Sequence, residues 1–140
     1  MKRLFYISYL LCLIYLVWLL PSDTKLHATF NLIPLKTIRL YFTAFLHDYA
    51  PIYVVTSNLI GNIVLFIPIG ILLFNHFRHM GILSILFFSI YIPVYIEVGQ
   101  YLLHLAGYGT RSIDIDDVLL NFIGIWIGYS ATFLLYKKMH

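Results

Sequence analysis

Apolar residues run almost unbroken through four stretches of the chain: Leu4–Leu20, Leu59–Phe74, Ile82–Ile96 continuing to about Leu105, and Val118–Tyr136. A helix needs about 20 apolar residues to cross roughly 30 Å of hydrocarbon. The first, third and fourth stretches reach that length. The second reaches it once Thr56-Ser57-Asn58, polar but uncharged, joins its start. The pattern predicts an all-α integral membrane protein with four transmembrane helices at about 4–20, 57–75, 82–103 and 117–136, in a single domain over 1–140. Lys2-Arg3 ahead of the first stretch imitates a signal peptide, but Pro21-Ser22-Asp23 offers no small-x-small cleavage site, so the stretch reads as an uncleaved span.

A different period appears between the first two stretches. From Pro34 onward, apolar residues fall at Leu35, Ile38, Phe42, Phe45, Leu46 and Tyr49, with Lys36, Arg39, Thr43 and His47 recurring on the opposite face. These spacings are helical, and proline suits a first turn. They predict an amphipathic interfacial helix at about 34–49, in the first extracytoplasmic loop, lying among lipid headgroups. Lys36 and Arg39 are candidates to meet phosphate there; the plainer alternative is a helix that only caps the bundle.

Composition agrees with the pattern. The chain is 61% hydrophobic and 11% charged, which excludes an ordinary soluble domain. Cys12 stands alone inside the first stretch, so no internal disulfide can form. The net charge is +3, but its Lys and Arg are scattered over termini and loops, without the basic stripe of a nucleic-acid binder. Four spans put both ends on one side with Lys2, Arg3, Arg78, Lys137 and Lys138, and every acidic residue on or near the other. Basic residues close to span ends favour the cytoplasm. The expected topology is therefore multi-pass, with both termini cytoplasmic.

Polar residues inside or beside spans are costly and need a reason. Glu97, Gln100 and His104 share one helical face at the end of the third stretch. Arg111 follows in the loop, then Asp114, Asp116 and Asp117 open the fourth stretch. Asp117, Asn121, Gly124 and Gly128 form a polar-then-small stripe, and the two glycines suit tight helix packing, including between two copies of the chain. Asn58 and Asn62, four apart in the second stretch, stack on one face. Topology directs these groups to the outer face. Glu97 with Arg111 reads either as a structural ion pair or as part of a site where crowded carboxylates make a general acid of Glu97, Asp114 or Asp117. Helix-dipole stabilisation accounts for at least one of the aspartates. The ligand-binding candidates are Lys36, Arg39, Asn58, Asn62, Gln100, Arg111 and Asn121. No recognised catalytic motif, metal-binding spacing or cofactor motif is present.

Taken in order, these residues carry a resemblance. Asn31-Leu32-Ile33-Pro34 with Lys36 to Arg39, the Asn58–Gly70 segment with its Asn-x3-Phe-x-Pro-x-Gly run, and Glu97-x2-Gln100, Arg111, Asp114, Asp117, Asn121, Gly124 and Gly128 together resemble the VanZ-like family of small bacterial membrane proteins. The family's namesake is associated with resistance to the glycopeptide teicoplanin, so the resemblance implies an envelope role. Three functions follow for test. One is an outer-face site engaging a cell-wall precursor, membrane lipid or antibiotic. Another is a membrane enzyme acting on a lipid-linked or phosphorylated substrate through Glu97, Asp114 or Asp117. The last is a small permeation unit, which four spans in one copy leave little room to build.

Overall fold

The computed structural model describes residues 2–19, 30–49, 51–108 and 113–139. Helix α1 (Lys2–Ile14) continues into a π-helical turn, Tyr15–Leu19. A two-residue strand β1 (Phe30–Asn31) leads to α2 (Lys36–Leu46), then α3 (Ile52–Phe77) and α4 (Ile82–Leu105). A second short strand, β2 (Ile113–Asp114), passes directly into α5 (Ile115–Met139).

Helices α3, α4 and α5 contain 26, 24 and 25 residues, or roughly 36–39 Å at 1.5 Å per residue. Each is long and apolar enough to cross a membrane. The first apolar helix is shorter: Leu4–Leu19 covers about 24 Å by the same rise, so three of the four expected spans have full length among the described residues. The second expected span begins earlier than its apolar run. Backbone geometry carries α3 through the polar Thr56-Ser57-Asn58 segment, whose side chains bond back to the preceding turn.

The centre of the fold is a close parallel pair, α3 and α5. Its register is read from Asn62 against Asp117, Gly124 against Ile63, Gly128 against Ile67, and Gly70 against Ile125 and Tyr129. A methyl group on Gly70, Gly124 or Gly128 would collide with a backbone carbonyl oxygen of the other helix. Glycine is needed because the backbones touch. Gly124 and Gly128, suited on sequence grounds to a contact between copies, are thus filled by α3 of the same chain.

Helix α4 runs back alongside this pair. Trp126 Nε1 donates to Ser89 Oγ at 3.0 Å, satisfying a fully buried hydroxyl. Tyr9 Oη donates to the Leu65 carbonyl (2.7 Å), and Gln100 Nε2 donates to the Val17 carbonyl in the π-helical turn (3.0 Å), fastening the first helix to α3 and α4. Phe66, Ile69 and Leu73 of α3, Ile96 of α4 and Ile125 of α5 form the apolar core with Leu13 and Val17. Around it, Leu83, Phe87, Leu102, Leu134 and Leu135 are exposed. Exposed apolar surface on this scale is what lipid tails would cover.

Two parallel helices, with a third running the opposite way alongside them, sort the ends of the molecule. The starts of α3 and α5, the end of α4, and Glu97, Asp114, Asp116 and Asp117 gather at one end. The other end carries Arg78, whose guanidinium lies 4.9 Å from the Tyr136 ring centre, with Lys137 and Lys138.

Candidate functional site

At the acidic end, β1 and β2 pair in parallel, Phe30 with Ile113 and Asn31 with Asp114. This pairing holds the segment before α2 against the segment before α5. Asn31 Nδ2 donates to Asp114 Oδ1 and to Thr37 Oγ1, both at 2.9 Å. Thr37 Oγ1 donates to Asp114 Oδ2 at 2.5 Å. The Asp116 amide donates to Asp114 Oδ1 (2.9 Å), and the Asp114 amide donates to Glu97 Oε2 (3.2 Å). Asp114 therefore accepts at both oxygens, in a buried position beside buried Glu97.

Asp116 is the hub. Its side chain is fully buried and accepts three backbone N–H groups from the start of α2: Leu35 at 2.5 Å on Oδ1, with Thr37 at 2.7 Å and Ile38 at 3.1 Å on Oδ2. The first N–H groups of a helix have no partner within it. Leu35 at the N-cap supplies no side-chain acceptor, so Asp116 of α5 caps α2 from another element. A carboxylate there also complements the positive end of the helix dipole. Leu35 adopts the left-handed conformation, φ 65°, costly for a branched side chain; the bend turns its N–H onto Asp116.

The clamp sets the rotation of α2. Thr37, Ile38, Tyr41 and Ala44 are half-buried against the bundle, whereas Leu35, Lys36, Arg39, Phe42, Phe45 and Leu46 are exposed. The expected amphipathic helix is present, but its docking face is not its most apolar one. It docks through the face holding Thr37 and Tyr41, because Thr37 supplies donors to the buried carboxylates Asp114 and Asp116. Burial, followed by the charges of Asp117 and Asp114, raises the Tyr41 phenol above its ordinary value of 10.0.

The remaining candidates divide. Asn62 Nδ2 donates to Asp117 Oδ1 at 2.6 Å, tying α3 to α5 just below the clamp. Asn121, one turn further along α5, is buried, and its Oδ1 has no hydrogen-bond partner among the described residues. Asn58 stands apart: it is exposed and donates to the Val54 carbonyl of its own helix. Gln100 reaches the first helix rather than the aspartates. Lys36 and Arg39 flank the clamp on the outside, on the walls of an open groove of about 630 Å³ with Ile33, Pro34, Leu35, Ile38 and Phe42. Arg111 lies outside the described residues. Among the described residues, no group of His, Cys, Asp and Glu is placed to hold a metal ion.

Sequence reasoning missed the role of Asp116 and of its neighbours Asn31 and Thr37. The signal was a helix opening at Lys36 without a capping side chain of its own. Such a start requires an acceptor from elsewhere, and a carboxylate opening an apolar helix is the natural source.

Long apolar helices around a tight parallel pair, with buried carboxylates at one end clamping a lateral amphipathic helix, define a small helical membrane protein with a polar site at one face. The family model VanZ/LLP1 matches residues 5–136, and the chain belongs to that family. Among curated proteins it is similar to Protein VanZ of Enterococcus faecium, with 29% identity over 83 residues, 59% of this chain and 48% of that protein. The match therefore spans about half the length of the relative. No solved structure matches the chain.

Proposed function

We propose that this chain is a VanZ-type protein of the bacterial cell envelope that contributes to glycopeptide resistance, teicoplanin in particular, by engaging a membrane lipid or lipid-linked cell-wall precursor at its outer face. Both termini lie in the cytoplasm in this reading, and α2 and the acidic end face outward, in keeping with Arg78, Lys137 and Lys138 at the opposite end. The observation that carries the proposal is the clamp on α2. Three backbone hydrogen bonds to Asp116 hold this helix so that Lys36 and Arg39 project beside exposed apolar side chains. An enzymatic role for Glu97, Asp114 or Asp117 has less support, because Asp114 already accepts hydrogen bonds at both oxygens and Glu97 accepts one from the Asp114 amide.

The test compares teicoplanin and vancomycin susceptibility in a sensitive host carrying no plasmid, the wild-type chain, or the Lys36→Gln/Arg39→Gln chain at equal membrane levels. Wild type should reduce teicoplanin susceptibility, and the double variant should lose most of the protection. Unchanged teicoplanin susceptibility with the wild type at confirmed expression refutes the resistance role. Full protection by the double variant refutes the placement of the contact on α2.

A further inference from the structure

The first turn of α2 has its charges the wrong way round for a helix. It contains no acidic residue, yet Lys36 is its first residue and Arg39 follows one turn later. Cations at a helix start oppose the dipole and destabilise the helix. Both side chains are exposed, and neither forms a hydrogen bond or ion pair with a described residue. Neither cation is engaged within the described chain, which leaves both open to an external anion. A helix start commonly binds phosphate through its free N–H groups. That mode is closed here, because the Leu35, Thr37 and Ile38 amides already bond Asp116. An anion must therefore be held by the Lys36 and Arg39 side chains.

The surroundings specify what carries the anion. Lys36 and Arg39 form a ridge shared by two open grooves. One, of about 630 Å³, passes Pro34, Leu35 and Phe42; the other, of about 500 Å³, passes Leu40, Ala44 and Tyr49. Leu35, Leu40, Phe42 and Tyr49 are all more than half exposed. A soluble anion leaves this apolar surface in water. A lipid phosphate covers it, with the charge between two cations and a hydrocarbon chain in the groove on either side.

Resting on the reading of α2 as the contact surface, we infer that α2 is a binding site for an anionic diacyl phospholipid of the outer leaflet. Lys36 and Arg39 hold the phosphate, and the two flanking grooves seat the first carbons of the two acyl chains. Asp116 acts as a positioning residue: it keeps the helix amides from competing for the phosphate and fixes the direction in which the cations point.

The experiment measures binding of fluorescent dioctanoyl phosphatidylglycerol to the purified full chain in uncharged detergent micelles. Dioctanoylglycerol, octyl phosphate and inorganic phosphate serve as competitors. The phospholipid should bind, unlabelled dioctanoyl phosphatidylglycerol should displace it, and each of the three competitors should be at least 10-fold weaker. Lys36→Gln/Arg39→Gln should weaken binding roughly 10- to 30-fold, as expected for losing two cations near a lipid phosphate. Both positions are exposed and the cations oppose the helix dipole, so the variant should melt at or slightly above the wild-type temperature, which separates lost binding from lost folding.

Equal competition by dioctanoylglycerol overturns the phosphate, equal competition by octyl phosphate overturns the two-chain seat, and equal competition by inorganic phosphate overturns the lipid. An unchanged affinity in the double variant overturns the site. The susceptibility assay fails separately. A double variant that loses phospholipid yet still protects its host leaves the lipid site standing and removes its link to resistance. A wild type that protects without binding phospholipid leaves the resistance role standing and removes the inference.

Discussion

Replacing Asp116 by asparagine tests the clamp with the smallest change of shape. In the native protein, Oδ2 accepts from Thr37 and Ile38, while Oδ1 accepts from Leu35. The best orientation of an asparagine keeps its oxygen at the Oδ2 position. It then turns an NH2 group toward the Leu35 N–H, donor against donor. One bond to a charged acceptor is lost, about 1.5–3 kcal/mol, and two others fall to neutral strength, about 0.5–1 kcal/mol each. The net loss is about 2.5–5 kcal/mol, or roughly 100-fold or more in the equilibrium for releasing the start of α2. Relaxation of Leu35 from its left-handed conformation adds to the release. The α3–α5 contact lies below the clamp and shares none of these bonds.

The assay is amide hydrogen exchange of the membrane-embedded protein, read at Thr37 and Ile38 and at interior amides of α3 and α5. Exchange at α2 should accelerate by about two orders of magnitude, while the α3 and α5 interior amides keep their protection. Thr37 and Ile38 amides still protected to within a few-fold would refute the clamp. Protection lost equally across all three helices would show that Asp116 supports the whole fold rather than the position of α2.

Gly70→Ala and Gly128→Ala drive a methyl group into the Ile125 and Ile67 carbonyl oxygens, and each should lower stability by about 1–3 kcal/mol. Gly61→Ala meets nothing within 4 Å and should be neutral or stabilising by about 0.5–1 kcal/mol through helix propensity; similar thermal melting of all three variants would contradict the close α3–α5 approach. Because the folded Tyr41 pKa lies above its ordinary 10.0, its contribution to stability is complete below that pH and is lost as pH rises through the folded value. Tyr41→Phe should therefore reduce the alkaline loss of stability, and Asp117→Asn should lower the Tyr41 titration midpoint, both read by tyrosinate absorbance and melting in an alkaline series.

Much of this protein was written in its one-dimensional pattern. Apolar runs too long for a soluble core helix set α3, α4 and α5, because backbone polar groups in hydrocarbon must be satisfied within each segment. The spacing from Pro34 to Tyr49 announced a lateral helix, and the acidic residues between two apolar runs announced a polar end. Those features are local: each depends on a residue and its neighbours along one helix. Partner choice is not local. Gly124 and Gly128 have the same spacing whether they face another copy or α3, and only the packed structure shows α3 filling them. The three aspartates of Asp114–Asp117 are equally acidic in sequence, yet they have different partners: Asp114 joins Asn31 and Thr37, Asp116 caps α2, and Asp117 meets Asn62. Those assignments depend on which donors tertiary packing brings within about 3 Å, since a hydrogen bond weakens steeply with distance and angle. Periodicity thus determined which segments are helices and where charge gathers. Tertiary structure decided which carboxylate holds α2 and which face of that helix remains free, because unpaired donors at its start were satisfied from another element.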